Sequence, residues 1–161
     1  MVERPLIGGD VQQSTSTRDL LVRLNLKTLL VMAPLILLLA CGQKQASRED
    51  VQSDLSKSIS LASEAETFVR YIGQGRSTYY FASGHLHYLL DEVNRSVQEL
   101  SNLDASEDLK NLLNVDRVQL RLLAVQIENA RQHLQQPNVL AASVQKIRGI
   151  RKTLVQAKSS L

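Results

Sequence analysis

After residue 47 the chain repeats apolar residues at alternating spacings of three and four, the period of a helix that buries one face. Val51, Leu55, Ser58, Ala62, Ala65, Val69 and Ile72 form the first seam, which stops at Gly73-Gln74-Gly75. Ser47 followed by Glu49 and Asp50 marks its start: a hydroxyl that caps free amides, then acids that complement the helix dipole. Tyr79, Ala82, Leu86, Leu89, Val93, Ser96, Leu100 and Leu103 form a second seam, which runs into Asp104 and Ser106, capping residues ahead of Glu107 and Asp108. The third seam is Leu109, Leu113, Asp116, Leu120, Leu123, Ile127, Ala130 and Leu134. Val115, Val118, Leu122 and Val125 make a further apolar line, so the third helix is expected to have the broadest and most buried face. Pro137-Asn138 breaks it, and Leu140, Val144, Ile147, Ile150, Leu154, Ala157 and Leu161 form the fourth.

Four helices of about 24 to 30 residues, each about 36 to 45 Å long, are joined by links short enough to require antiparallel neighbours. The expected fold is all-α, an up-down-up-down four-helix bundle over residues 48–161. Composition agrees, with no tryptophan and one proline, Pro137, after residue 41. About 115 residues suit a single core.

Charge refines the arrangement. Residues 48–66 hold five acids and two bases, whereas 138–161 hold five bases, Lys146, Arg148, Arg151, Lys152 and Lys158, and no acid. In this topology the first and last helices are neighbours, so pairing between them is one reading, with exposed pairs contributing about 0 to 1 kcal/mol each. A solvated basic face and attraction to anionic lipid headgroups are the others. Beyond Cys41 the net charge is +2, too mild to argue for nucleic acid.

Ahead of the helical region, Arg18, Arg23 and Lys27 precede an uncharged run of 12 residues, Leu29 to Ala40, that ends in Leu38-Leu39-Ala40-Cys41-Gly42. That length fits a signal-peptide core, since a spanning helix needs about 20 apolar residues. The order of basic region, apolar region, small residue and cysteine resembles the signal peptide and lipobox of bacterial lipoproteins. The resemblance implies cleavage before Cys41, lipid modification of its thiol and a domain tethered to a membrane; two or more acyl chains give a stable anchor. In that family an aspartate after the cysteine retains the protein at the inner membrane, so Gly42 implies the outer membrane where one exists, on the periplasmic face. The other reading of Cys41 is an inert thiol at the end of a core helix, and as the single cysteine it excludes an internal disulfide. Residues 1–17 form a polar leader with no place in such a signal, which points to a true start near Leu20 or Val22, or to a cytosolic tail before a short membrane segment. The expected organisation is a leader and signal over 1–40, a lipidated cysteine and polar tether over 41–47, and the bundle.

Every Phe and Tyr lies between Phe68 and Tyr88, with His85 and His87 in the same window. With Cys41 holding the start of the first helix near the membrane, Tyr71, Tyr79, Tyr80 and Tyr88 fall at the far tip, joined there by His133. Tyrosine suits interfaces because it couples apolar area to a hydroxyl, which makes this the candidate partner-binding tip. Alternatively, Phe68, Tyr79 and Phe81 plug the bundle end. A metal site at His85, His87 and His133 is the sharper idea, but residues two apart on a helix point about 200° from each other. No Glu-x-x-His pair is present, and no methionine follows residue 32 to serve as a haem ligand. No Gly-x-Ser-x-Gly elbow or phosphate-binding glycine loop occurs, so no enzyme activity and no cofactor are expected. Asp91, Glu92, Asp116 and Glu128 read as surface charges or intrahelical partners. Asp116, on the third seam, is expected to need a partner such as Arg121 or Arg95 if buried. The function expected is a non-catalytic binding or scaffolding module, held at the membrane by its lipid, with an unidentified protein partner; the alternative is a metal- or small-ligand-binding bundle.

Overall fold

A computed structural model describes residues 45–161, of which 84% are helical, and the fold is all-α. Residues 1–44, with the leader, the apolar run and Cys41, lie outside the described residues. Four helices, α1 (Arg48–Gly73), α2 (Tyr79–Ser101), α3 (Glu107–Gln132) and α4 (Pro137–Ser159), form a helical bundle. Among the described residues no helix is long and apolar enough to cross a membrane.

Each helix starts and stops for a local reason. Before α1, the Ser47 hydroxyl accepts from the Asp50 amide at 3.1 Å, while the Asp50 carboxylate accepts from the Ser47 amide at 2.9 Å, a reciprocal capping box. α1 ends where Gly75 takes a φ of 70°, a conformation that glycine adopts without a Cβ clash. Thr78 caps α2 by accepting from the Phe81 amide. Pro137 is the first residue of α4, where its missing N–H costs no intrahelical bond. Ser106 precedes α3 as expected, but its hydroxyl makes no capping hydrogen bond.

The four seams become the core. All seven expected α1 positions are buried, as are Ala82, Leu86, Leu89, Val93, Ser96 and Leu100 of α2. Leu113, Asp116, Leu120, Leu123, Ile127 and Ala130 of α3 and the fourth seam from Leu140 to Ala157 complete it. Leu103, Leu109, Leu134 and Leu161 pack against its edges, partly buried. α1 packs most extensively on α4, then α2 on α3 and α3 on α4; the seam between α1 and α2 is thinner even than the contact of α1 with α3.

Two expectations need correction. The second apolar line of α3 does not widen the buried face: Val118, Leu122 and Val125 are exposed. Leu122 stands two residues from Leu120, which at 3.6 residues per turn is about 200° round the helix. Those three therefore lie nearly opposite the core, while Val115, at the start of the line, is partly buried against it. The polar stretch ahead of α1 is also not wholly free. Gln45–Ala46 (β1) pairs in parallel with Asp104–Ala105 (β2) in the link between α2 and α3, Gln45 opposite Asp104 and Ala46 opposite Ala105. Both alanines are buried, small enough for the two backbones to close over the end of the core.

Candidate functional site

The thin seam between α1 and α2 leaves space that aromatic side chains occupy. Phe81, His85 and Tyr88 follow at spacings of four and three and so share a face of α2. Phe68 reaches them from α1, its ring centroid 4.2 Å from His85 and 5.8 Å from Phe81, edge to face in both cases. Phe81 stacks on His85 at 6.0 Å, Tyr88 lies 6.0 Å beyond His85, and Tyr71 stacks on Phe68 at 6.4 Å. Edge-to-face pairs at such separations add about 0.5 to 1.5 kcal/mol beyond buried area. Phe68 is the hub and packs against the core, whereas Phe81 is 60% exposed and Tyr88 55%. Phe68, Tyr71, Phe81 and His85 border an open, mainly apolar groove of about 610 Å³ between the two helices, with Glu64 and Thr67 on its α1 wall.

The four candidate tyrosines therefore separate. Tyr71 lines the groove, and Tyr88 extends it through His85. Tyr79 and Tyr80 stand at the first turn of α2, their rings perpendicular at 5.8 Å. Tyr79 borders a second recess with Arg131 and His133 at the α3–α4 link, which brings the two turns together as the sequence suggested. Tyr80 is 87% exposed. Of the three residues read as a possible plug, Phe68 alone fits, because Tyr79 and Phe81 are open to solvent.

Each histidine has its own partner. His85 Nε2 lies 3.2 Å from the Glu64 carboxylate across the groove, His87 Nε2 3.6 Å from Asp91 one turn along α2, and His133 Nδ1 2.8 Å from the Asn129 carbonyl oxygen. Among the described residues no group of three or more His, Cys, Asp or Glu is placed to hold a metal ion. An aromatic floor with one imidazole–carboxylate pair at its wall is suited to binding apolar and aromatic groups.

Sequence reasoning missed two buried acids in their true settings. Glu66 was counted among the acids of the first helix, but its side chain is 5% exposed and receives Arg70 of its own helix with Arg148 and Arg151 of α4, the last two at 3.1 Å each. Its place one turn after Ala62 on the seam, opposite an acid-free helix, was the available signal. Asp116 is fully buried, yet neither expected arginine meets it: Arg121 is exposed and Arg95 pairs with Glu92 at 3.0 Å. Neighbouring Arg117 instead donates to the Leu100 carbonyl at 3.2 Å. Burial pushes the Asp116 carboxyl up to about 6; Ser58 of α1 tempers the shift and Asp54 adds to it, while neither carboxylate oxygen accepts a well-formed hydrogen bond.

Comparison of the chain with protein-family models, with curated proteins and with solved structures finds no match.

Proposed function

We propose that this chain is a lipid-anchored lipoprotein of the bacterial envelope, whose helical part is an up-down-up-down four-helix bundle acting as a non-catalytic binding or scaffolding module. The observation that carries the reading is the stretch Leu38 to Cys41 standing just ahead of a helical bundle with an open aromatic groove. Antiparallel packing of α1 and α4 is supported by the pairing of Glu66 with Arg148 and Arg151 and by Gly73 near Leu140. Contacts of Lys57 with Glu99, Arg117 with Leu100 and Asn129 with Ser143 support the alternation round the bundle. The groove is the surface offered to a protein partner: exposed Phe and Tyr rings supply apolar area at small entropic cost.

Membrane fractionation of wild type against Cys41→Ser, with mass analysis of the lipid, tests the anchor. Wild type is expected in the envelope membrane with an acylated cysteine at its N-terminus, and the variant is expected to remain an uncleaved, unlipidated precursor. Wild type without acyl mass on Cys41, or a variant cleaved at the same place as wild type, overturns the reading.

A further inference from the structure

The cluster around Glu66 holds more positive charge than its one carboxylate neutralises. Arg70, Arg148 and Arg151 converge on Glu66, which leaves two charges in excess, and α4 contains no acid to offset them. Like charges free in water would diverge. Here the buried carboxylate pins all three, and each guanidinium has five N–H donors in a fixed fork, of which a minority is spent on the cluster.

Two of these arginines also face a cavity. Arg70 and Arg148 line a cleft of about 290 Å³ between the end of α1 and the start of α4, separate from the aromatic groove. Its floor is aliphatic, with Val69, Leu140 and Val144, and Gln145 sits at the rim, already accepting from Arg148 at 3.4 Å. Pro137 lies at one end, so the acid-free first turn of α4 adds the positive pole of its dipole. Guanidiniums recognise carboxylate and phosphate oxygens through paired N–H bonds. A small apolar recess with a few convergent polar groups is the usual form of a small-molecule site.

We propose that this cleft binds a small amphipathic oxyanion, a carboxylate or phosphate head held by Arg70 and Arg148 with a short alkyl body against Leu140 and Val144. The anion replaces the negative charge that the cluster lacks, and the body lies over a floor whose aliphatic side chains are already nearly closed from water, so the head supplies most of the recognition. The site does not depend on lipid anchoring or on the aromatic groove.

Titration of the isotope-labelled protein with hexyl phosphate, followed by amide and methyl chemical shifts, tests it. Saturable shifts are expected at Leu140, Val144 and the two arginines, with hexanoate acting alike and neutral hexanol leaving them unmoved. Arg148→Gln is expected to weaken binding by about tenfold or more. Because that change also disturbs the Glu66 cluster, Ala141→Trp is the second variant: Ala141 is exposed in the cleft lining, and an indole there occupies the space while every charge of the cluster is kept. It is expected to abolish the shifts while the spectrum stays folded. Absence of saturable shifts in wild type, equal binding by hexanol, or undiminished binding by Ala141→Trp overturns the proposal. So does binding to phosphatidylglycerol vesicles without binding to free hexyl phosphate, which would make the cluster a headgroup contact.

Discussion

Glu66 and Asp116 are both buried acids on helical seams, and they meet opposite surroundings. Burial alone would raise the Glu66 carboxyl, but the Arg148 hydrogen bond and the charges of Arg151 and Arg148 outweigh it and hold the group below the usual carboxylate range. Asp116 faces no cation; burial dominates, and the group moves the other way, to about 6. What separates them is the position of the partners. The arginines around Glu66 reach it along their stems while keeping their heads in contact with water, so each is desolvated only in part. Asp116 lies beneath closed packing, with Ser58 as its polar neighbour from α1. Their pH dependences are therefore opposed. Glu66, with its lowered value, contributes stability above its unfolded value that is lost as pH falls through the folded one. Asp116, with its raised value, favours the folded state most below the ordinary value of 3.8, and that advantage is lost as pH rises through about 6.

The largest expected effect comes from breaking the cationic side of the comparison. Glu66→Leu leaves three guanidiniums facing one another, and urea unfolding at pH 7 should show a loss of about 2 to 3 kcal/mol, moderated because the arginine heads stay partly hydrated. An unchanged midpoint would mean that the cluster does not hold α1 to α4. Asp116→Asn should act in the opposite direction, stabilising the fold by about 1 to 2 kcal/mol at pH 8, less than the full shift implies because the amide also lacks partners. That gain should vanish below about pH 3, where the wild-type carboxyl is mostly protonated in the unfolded state as well as the folded one. A gain that persists there would assign the effect to packing. The smallest change sharpens the contrast: Ser58→Ala removes the hydroxyl that tempers Asp116, and carbon-detected titration should find the Asp116 midpoint moved further up, whereas an unmoved midpoint would remove Ser58 from the account.

The fold was legible where a single periodicity carried the information. Val51 to Ile72 and Leu140 to Ala157 are buried position for position because a 3.6-residue period assigns each to one face. The same rule was misapplied to Val118, Leu122 and Val125, whose spacing among themselves is helical but whose offset from Leu120 sends them to solvent. The aromatic window was visible as composition, and Phe68, Phe81 and His85 do meet. Their place over the α1–α2 seam was not, since it depends on how tightly each pair of helices packs, which no local pattern records. The Glu66 cluster joins residues 82 and 85 positions apart, so sequence could suggest a charge match between helices but not which acid lies beneath which arginines.

The two-residue parallel ladder has a mechanical meaning. A pull applied through residue 44 does not first unwind α1 from its capping box. It loads Gln45–Ala46 against Asp104–Ala105, and so transmits force to the middle of the bundle, between α2 and α3. Tension on the start of the bundle is thereby shared between two points far apart in sequence, and it meets the clasp before it meets the core.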